Sequence, residues 1–167
     1  VEIANNMKTI NPNIFFLLVG NGYDRDNIII KSKEYGIYNK SLFYIDYLPK
    51  DQIPELLSLA TIAVSLFIDL PEMKNNSANK FFDALAAGKP IMINYNGWQA
   101  DLINETGCGF VISPNNSIAA AEKINNVIKD KDLLIQMSNA SRDLSSQFDI
   151  ETNYKKFQGV IDSVGII

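Results

Sequence analysis

Apolar runs a few residues long alternate with longer polar stretches along the whole chain. Residues 14–19 (Ile-Phe-Phe-Leu-Leu-Val) form an unbroken apolar run that stops at Gly20-Asn21-Gly22. A run of that kind predicts a strand buried on both faces. Residues 24–35 predict a helix, 42–45 a short strand, and 50–59 a helix opened by Pro49 and Asp51. The next run, 61–67 (Thr-Ile-Ala-Val-Ser-Leu-Phe), predicts a strand, and 77–87 a helix closed by Gly88, since glycine just past a periodic stretch is a common stop. Residues 90–94 predict a strand, 99–105 a helix and 109–112 a strand. Three helical stretches follow, at 117–129, 131–146 and 150–163.

Strands that alternate with helices predict a parallel sheet with right-handed crossovers, the doubly wound α/β class. Residues 2–10 read as the tail of a helix with no strand before it. An α/β domain normally opens with a strand, so the first strand of this one is expected to lie ahead of Val1. No repeat, low-complexity tract or linker interrupts the pattern, and residues 1–167 read as a single domain. Ligands of doubly wound proteins sit beyond the carboxyl ends of the strands. Four loops qualify here: 20–22, 45–49, 68–77 and 95–98.

Composition narrows the chemistry. The chain is 47% hydrophobic and 20% charged, as expected of an ordinary globular domain, and no apolar run approaches the ~20 residues needed to span a bilayer. No signal peptide is visible at the N-terminus. A net charge of −4 without a basic stripe argues against nucleic acid. The one cysteine, Cys108, cannot form an internal disulfide, which fits a cytoplasmic home. The absence of histidine is more decisive: it removes Ser-His-Asp, Cys-His and His-metal chemistry from this chain. Any site here must be built from carboxylates, amides, Lys, Arg and backbone groups, or be shared with a partner domain.

The stretch 75–90 is the most informative. Ser77 has the side chain of an N-cap. At ~100° per residue, Ala78, Phe81, Phe82 and Leu85 should share the face that packs on the sheet. Asn79, Lys80, Asp83, Ala84 and Ala87 should share the other, a narrow polar face with room for a ligand. Lys80 falls in the first turn, where the helix dipole disfavours a cation by ~0.3–1 kcal/mol. An anion at the amides of Ser77, Ala78 and Asn79 would reverse that penalty. A solvated Lys80 and a plain surface Asp83 account for the same pattern, and periodicity leaves both readings open. Gly20, Asn21 and Gly22 let backbone approach a ligand, yet they fall short of a dinucleotide fingerprint and suit a tight turn equally well. Gly88-Lys89 lacks the upstream glycine of a phosphate loop, since position 83 is Asp. Asp24-Arg25-Asp26 mimics an Asp-x-Asp metal pair, though acidic residues opening a helix are far commoner.

Taken in order, five segments carry a resemblance: Gly20-Asn21-Gly22; Phe43-Tyr44-Ile45-Asp46-Tyr47-Leu48-Pro49; Phe82-Asp83-Ala84-Leu85-Ala86-Ala87-Gly88-Lys89-Pro90; Gly97-Trp98-Gln99-Ala100-Asp101-Leu102-Ile103; and Gly107-Cys108-Gly109-Phe110-Val111. Together they are similar to the C-terminal, donor-binding domain of family 4, GT-B-type glycosyltransferases. Asn79-Lys80-Phe81-Phe82-Asp83 and Gly97-Trp98 most resemble the bacterial N-acetylfucosaminyltransferases. The resemblance implies a Rossmann-like half of a GT-B fold, joined in the full enzyme to an N-terminal acceptor domain. It implies retaining transfer of a sugar from a nucleotide-sugar, UDP-linked, to a glycan or lipid-linked acceptor in surface polysaccharide or lipopolysaccharide synthesis. No essential metal or other cofactor is implied, and membrane association would come only through the other domain.

Site roles follow from the same resemblance. Asp83, where the family usually has Glu, would hold the ribose hydroxyls. Backbone around Tyr44, Ile45 and Asp46 would read the base, with Asp46 standing where the family has glycine. Amides at Ser77, Ala78 and Asn79 would hold the diphosphate, with Lys80 assisting, beside Gly20, Asn21 and Gly22. The first acid of the family's paired-Glu pattern is replaced by Asn75, which cannot carry charge; Glu72 in the same loop is a candidate substitute. The family's Arg and Lys for the leaving diphosphate fall outside this chain, so the isolated chain is expected to bind donor weakly and not turn it over. Two other readings stay open: another GT-B enzyme such as a UDP-sugar epimerase, and a non-catalytic doubly wound binding module.

Overall fold

Each apolar run does form a strand, but most strands are shorter than their runs, and all of them pair in parallel. In the computed structural model, which describes residues 1–165, the order is α1 (Glu2–Ile10), β1 (Phe16–Val19), α2 (Arg25–Glu34), β2 (Leu42–Ile45), a 3-10 turn (Lys50–Gln52) running into α3 (Ile53–Leu59), and β3 (Ala63–Ser65). A second 3-10 turn (Pro71–Asn75) precedes α4 (Asn79–Ala86), β4 (Ile91–Ile93), α5 (Trp98–Thr106), β5 (Gly109–Val111), α6 (Ser117–Lys129) and α7 (Lys131–Ser145). A third (Ser146–Phe148) precedes α8 (Ile150–Val164). The strands form two parallel sheets rather than one: β1-β2, with Phe16 opposite Leu42, and β3-β4-β5, with Ala63 opposite Ile91 and Ile91 opposite Gly109. The chain divides accordingly into two compact units, Val1–Leu59 with Ile112–Leu133, and Ala60–Val111 with the helical stretch from Leu134 onward.

The first unit closes over Ala4, Ile37 and Leu42, with Val1, Phe16, Leu18 and Tyr35 packed around them. Here the expectation of a first strand buried on both faces fails. Phe16 and Leu18 point into the core, while Phe15 and Leu17 on the alternate positions are 62% and 43% exposed. Side chains alternate along a strand, so an all-apolar run is doubly buried only when both faces are covered. Residues 2–10 form helix α1, with Ala4 and Met7 buried. Asn6 donates to Ser117 Oγ and Asn11 to the Asn125 side-chain oxygen, each at 3.0 Å, which ties α1 to α6. The Glu2 carboxylate accepts from the Tyr35 hydroxyl at 2.9 Å and pairs with Lys31, holding α1 to α2.

The second unit is built on β4, whose Ile91, Met92 and Ile93 are all buried because it has a strand on each side. Phe81, Ala84 and Leu85 of α4 and Ala100 and Ile103 of α5 add to its interior. Gly88 stops α4 as expected: at φ +62° its N–H reaches Leu85 O, and the N–H of Lys89 reaches Ala84 O. Those two bonds satisfy carbonyls that a helix end leaves open. Ser141 Oγ lies 2.9 Å from Lys89 O and 3.0 Å from Cys108 O, fastening α7 to the starts of β4 and β5. Helix α8 buries none of its residues. Among the described residues no helix is long and apolar enough to cross a membrane.

Candidate functional site

The residues singled out above lie in both units, and each group stands on its own framework. In the first unit, Gly20-Asn21-Gly22 leaves the carboxyl end of β1, while Tyr44, Ile45 and Asp46 end β2. Gly20, at φ +143°, donates its N–H to Ile45 O at 3.0 Å and accepts from the Tyr44 hydroxyl through its carbonyl. Beyond the adjoining residues, nothing lies within 4 Å of where a Cβ would stand at Gly20 or Gly22. Asp46 does not stand alone. Arg25, in the first turn of α2, grips both of its carboxylate oxygens through Nε and Nη2, and donates a third hydrogen bond from Nη1 to Asp26 Oδ1 at 2.7 Å. The same guanidinium sits 5.9 Å from the centre of the Tyr44 ring. The Arg25 clamp holds the Asp46 carboxyl below the usual carboxylate range. Both acids of Asp24-Arg25-Asp26 are engaged within the chain, Asp26 by Arg25 and Asp24 by the Asn27 amide at 2.7 Å. Among the described residues no grouping of three or more His, Cys, Asp or Glu is placed to hold a metal ion.

In the second unit the loops after β3 and β4 are locked together. The Asn94 side chain takes the backbone of Phe67 on both sides, accepting from its N–H and donating to its C=O, each at 2.8 Å. Trp98 Nε1 donates to Asn76 O at 3.0 Å. Gly97, at φ +111°, lies so close to the 74–76 segment that a Cβ there would fall 2.0 Å from Lys74 O. On this frame the 3-10 turn presents Glu72 and Asn75, both exposed. The same unit holds a buried polar chain: the Tyr95 hydroxyl donates to Gln99 Oε1 at 2.6 Å and lies 3.4 Å from Ser65 Oγ. Burial pushes the Tyr95 phenol up, so it stays protonated and able to donate.

Helix α4 starts later than expected. Its N-cap is Ala78, in extended conformation and without a side-chain bond, so Ser77 does not cap it. Ser77 lies one residue too early: Phe81 N–H already bonds to Ala78 O at 3.0 Å. The first-turn amides without an acceptor one turn earlier are therefore those of Asn79 and Lys80. Ala84 also departs from the expectation, buried beside Phe81 and Leu85 instead of lining the open face, because residues three and four apart share a helix side. Phe82 turns to the edge, 6.0 Å from the Trp98 ring and 5.0 Å from Phe148. Asn79, Lys80 and Asp83 are exposed together on the open side. Asp83 makes no ion pair among the described residues, and the Nζ of the exposed Lys80 lies 5.8 Å from the centre of the Phe67 ring. Sequence reasoning had not singled out Arg25 as a partner of Asp46, nor Phe67 and Asn94. Only the abrupt change from an apolar run to an amide at Asn94 hinted at any of these.

Comparison with known proteins bears on what these groups serve. The family model described as glycosyl transferases group 1 matches residues 2–144. A Bacillus subtilis protein named as a glycosyltransferase, YtcC, is 25% identical over 129 residues, covering 76% of this chain and 31% of its own. The crystal structure of HepE from Anabaena in complex with UDP-glucose superposes with a TM-score of 0.80 at 20% identity, over 96% of this chain and 44% of HepE. The C-terminal domain of LpcC, a group 1 glycosyl transferase from Francisella tularensis, gives a TM-score of 0.71 at 19% identity, over 89% of this chain and 77% of that one. The chain thus spans about a third of the curated relative and under half of HepE.

Proposed function

The chain belongs to the group 1 glycosyl transferases, and from that premise we propose that it is the donor-binding domain of a retaining enzyme. That enzyme moves an amino sugar from a UDP-linked donor to a glycan or lipid-linked acceptor in surface polysaccharide synthesis, at the cytoplasmic side. The observation that carries the reading is the open side of α4: an unpaired, exposed carboxylate at Asp83 one turn beyond first-turn amides that have no acceptor. A nucleoside diphosphate supplies what each lacks. Its phosphates accept from the amides at Asn79 and Lys80, where the helix dipole favours negative charge, and its ribose hydroxyls donate to Asp83. The ammonium of Lys80, now over the Phe67 ring, adds Coulombic attraction to the same phosphates. Glu72 and Asn75, on the pinned turn before the helix, take the sugar hydroxyls, with Glu72 as the charged acceptor. Stabilising the diphosphate as it departs is the main electrostatic task of such a reaction. Ala78 and Ser77 contribute backbone to the same loop, and Gly20, Asn21 and Gly22 keep the end of β1 open to ligand in their own unit.

Support comes also from HepE, solved with UDP-glucose, and from TarM of S. aureus, solved with UDP and related at a TM-score of 0.77. Titration of the chain with UDP, GDP and ADP tests the proposal. UDP is expected to bind best, and Asp83→Ala to weaken it about tenfold, the worth of a hydrogen bond to a charged group, with folding stability unchanged. Indifference of the chain to all three nucleotides, or of UDP binding to the loss of Asp83, would sink the reading.

A further inference from the structure

We propose that the cavity at the amino ends of β3 and β4 binds a phosphate-type oxyanion, with the Arg142 guanidinium as its fork and the Lys89 ammonium as its point charge. The cavity lies wholly within the second unit, where Ala60 and Thr61, Lys89 and one side of α7 meet. Its volume is about 340 Å³, within the range of small-molecule sites. It stands at the opposite strand ends from the loops that follow β3 and β4, so the site does not depend on the donor-binding reading.

Charge singles this cavity out. The chain carries a net charge of −4, yet among the described residues the cavity is lined by Lys89 and Arg142 and by no carboxylate. A recess lined by one sign of charge concentrates ions of the other. Arg142 is held by packing and not by an acid. Its side chain crosses the bare Cα of Gly88 so closely that a Cβ there would fall 2.6 Å from Arg142 Nε. Among the described residues it makes no ion pair, and its Nη1 donates to the neutral Asn139 Oδ1 at 3.3 Å. A guanidinium set in place without a carboxylate keeps most of its donors for an oxyanion, whose geometry its planar fork matches.

The rest of the wall supplies what a phosphate ester needs. Thr61 and Ser138 bring hydroxyls, and among the described residues neither hydroxyl makes a hydrogen bond within the chain. Asn139 accepts from Arg142 through its oxygen and keeps its amide N–H groups to donate. Leu134 and Ile135 line the same recess, an apolar bed for the group esterified to the phosphate. The frame is fixed, because Ser141 Oγ bonds to Lys89 O and Cys108 O and so holds α7 against the start of β4. Two cations in one recess repel each other, and an oxyanion between them turns that repulsion into attraction.

The experiment follows the backbone and arginine Nε–H signals of the chain by NMR while inorganic phosphate replaces chloride at constant ionic strength. Saturable shifts are expected at Thr61, Lys89, Ser138 and Arg142. Arg142→Gln should weaken phosphate at these signals by about fivefold or more, through the loss of charge-assisted hydrogen bonds. Arg142→Lys, which keeps the charge without the fork, should fall between. Lys89→Gln should weaken phosphate too, with the urea midpoint unchanged. Two further probes distinguish the source of the anion. Tighter binding of glycerol 3-phosphate than of inorganic phosphate, without sedimentation on vesicles, supports the site and marks a soluble phosphate ester as its ligand. Sedimentation of the chain with phosphatidylcholine vesicles containing phosphatidylglycerol, abolished by Arg142→Gln, supports the site and marks a lipid headgroup. Shifts that chloride reproduces, that do not saturate, or that persist unchanged in both Arg142→Gln and Lys89→Gln overturn the assignment. Shifts confined to Asn79 and Lys80 overturn it as well, while leaving the donor-binding reading in place.

Discussion

At the scale of single residues, the loops of the second unit depend on positions that carry no charge. Gly97 allows the turn after β4 to touch the 74–76 segment, and the Trp98 indole then bonds to Asn76 O. Any side chain at 97 would collide with the Lys74 carbonyl, backbone that cannot swing away, and would also sit at a φ that L-residues avoid. Gly97→Ala is therefore expected to cost about 2–4 kcal/mol, read from the urea midpoint, and, on the proposed function, to weaken UDP-sugar binding more than UDP binding, because Glu72 and Asn75, assigned there to the sugar hydroxyls, ride on the displaced turn. A midpoint within error of wild type would show that the loops are not pinned there. Asn94 works differently, substituting for a neighbouring strand: its amide gives Phe67 both a donor and an acceptor beyond the last ladder bond of β3.

Elements are held by their ends as much as by their faces. Helix α4 has a short buried face and an unassisted start at Ala78, but its stop is bonded at Gly88 and Lys89, so its amino end is the less supported of the two. Helix α8 is the reverse case. None of its residues is buried, with Tyr154 and Phe157 each 63% exposed, and its start is secured by Asp149, whose carboxylate accepts from Thr152 N–H at 2.8 Å. The side-chain and backbone hydrogen bonds of Thr152 hold the Asp149 carboxyl below its ordinary value. A lowered carboxyl contributes stability that is present above the unfolded-state value and lost as pH falls through the folded one. The far-UV helical signal should accordingly decline as the solution is acidified through and below the usual Asp range. Asp149→Asn, which caps without titrating, should shrink that decline. An identical acid profile for the two proteins would show that the cap does not govern the helix.

For the molecule as a whole, the match to group 1 glycosyl transferases over residues 2–144 goes with a chain that spans 44% of HepE. The expected outcome of a radiolabelled transfer assay on the 167-residue chain is donor binding without turnover, and sugar transfer by it alone would refute that. Much of the architecture was readable beforehand because it is written locally. The run of residues 42–45 gave β2 without error, the stretch at 117–129 gave α6, and Gly88 marked the stop of α4, each decided by preferences that act within a turn or two. The Asp83 side of α4 was legible for the same reason, as a matter of helical period. Tertiary structure alone decided the rest. Whether the all-apolar first strand would be covered on one face or two, whether Ala84 would line the site or the core, and whether the strands would join one sheet or two all depended on what came to lie beside them. The partners of Asp46 and Phe67 stand 21 and 27 residues away in sequence, beyond any periodicity a helix or strand imposes. Local sequence chose the elements because backbone conformation is a short-range property. The meeting of Arg25 with Asp46 waited on the fold, because a contact between distant residues exists only once the chain has returned to make it.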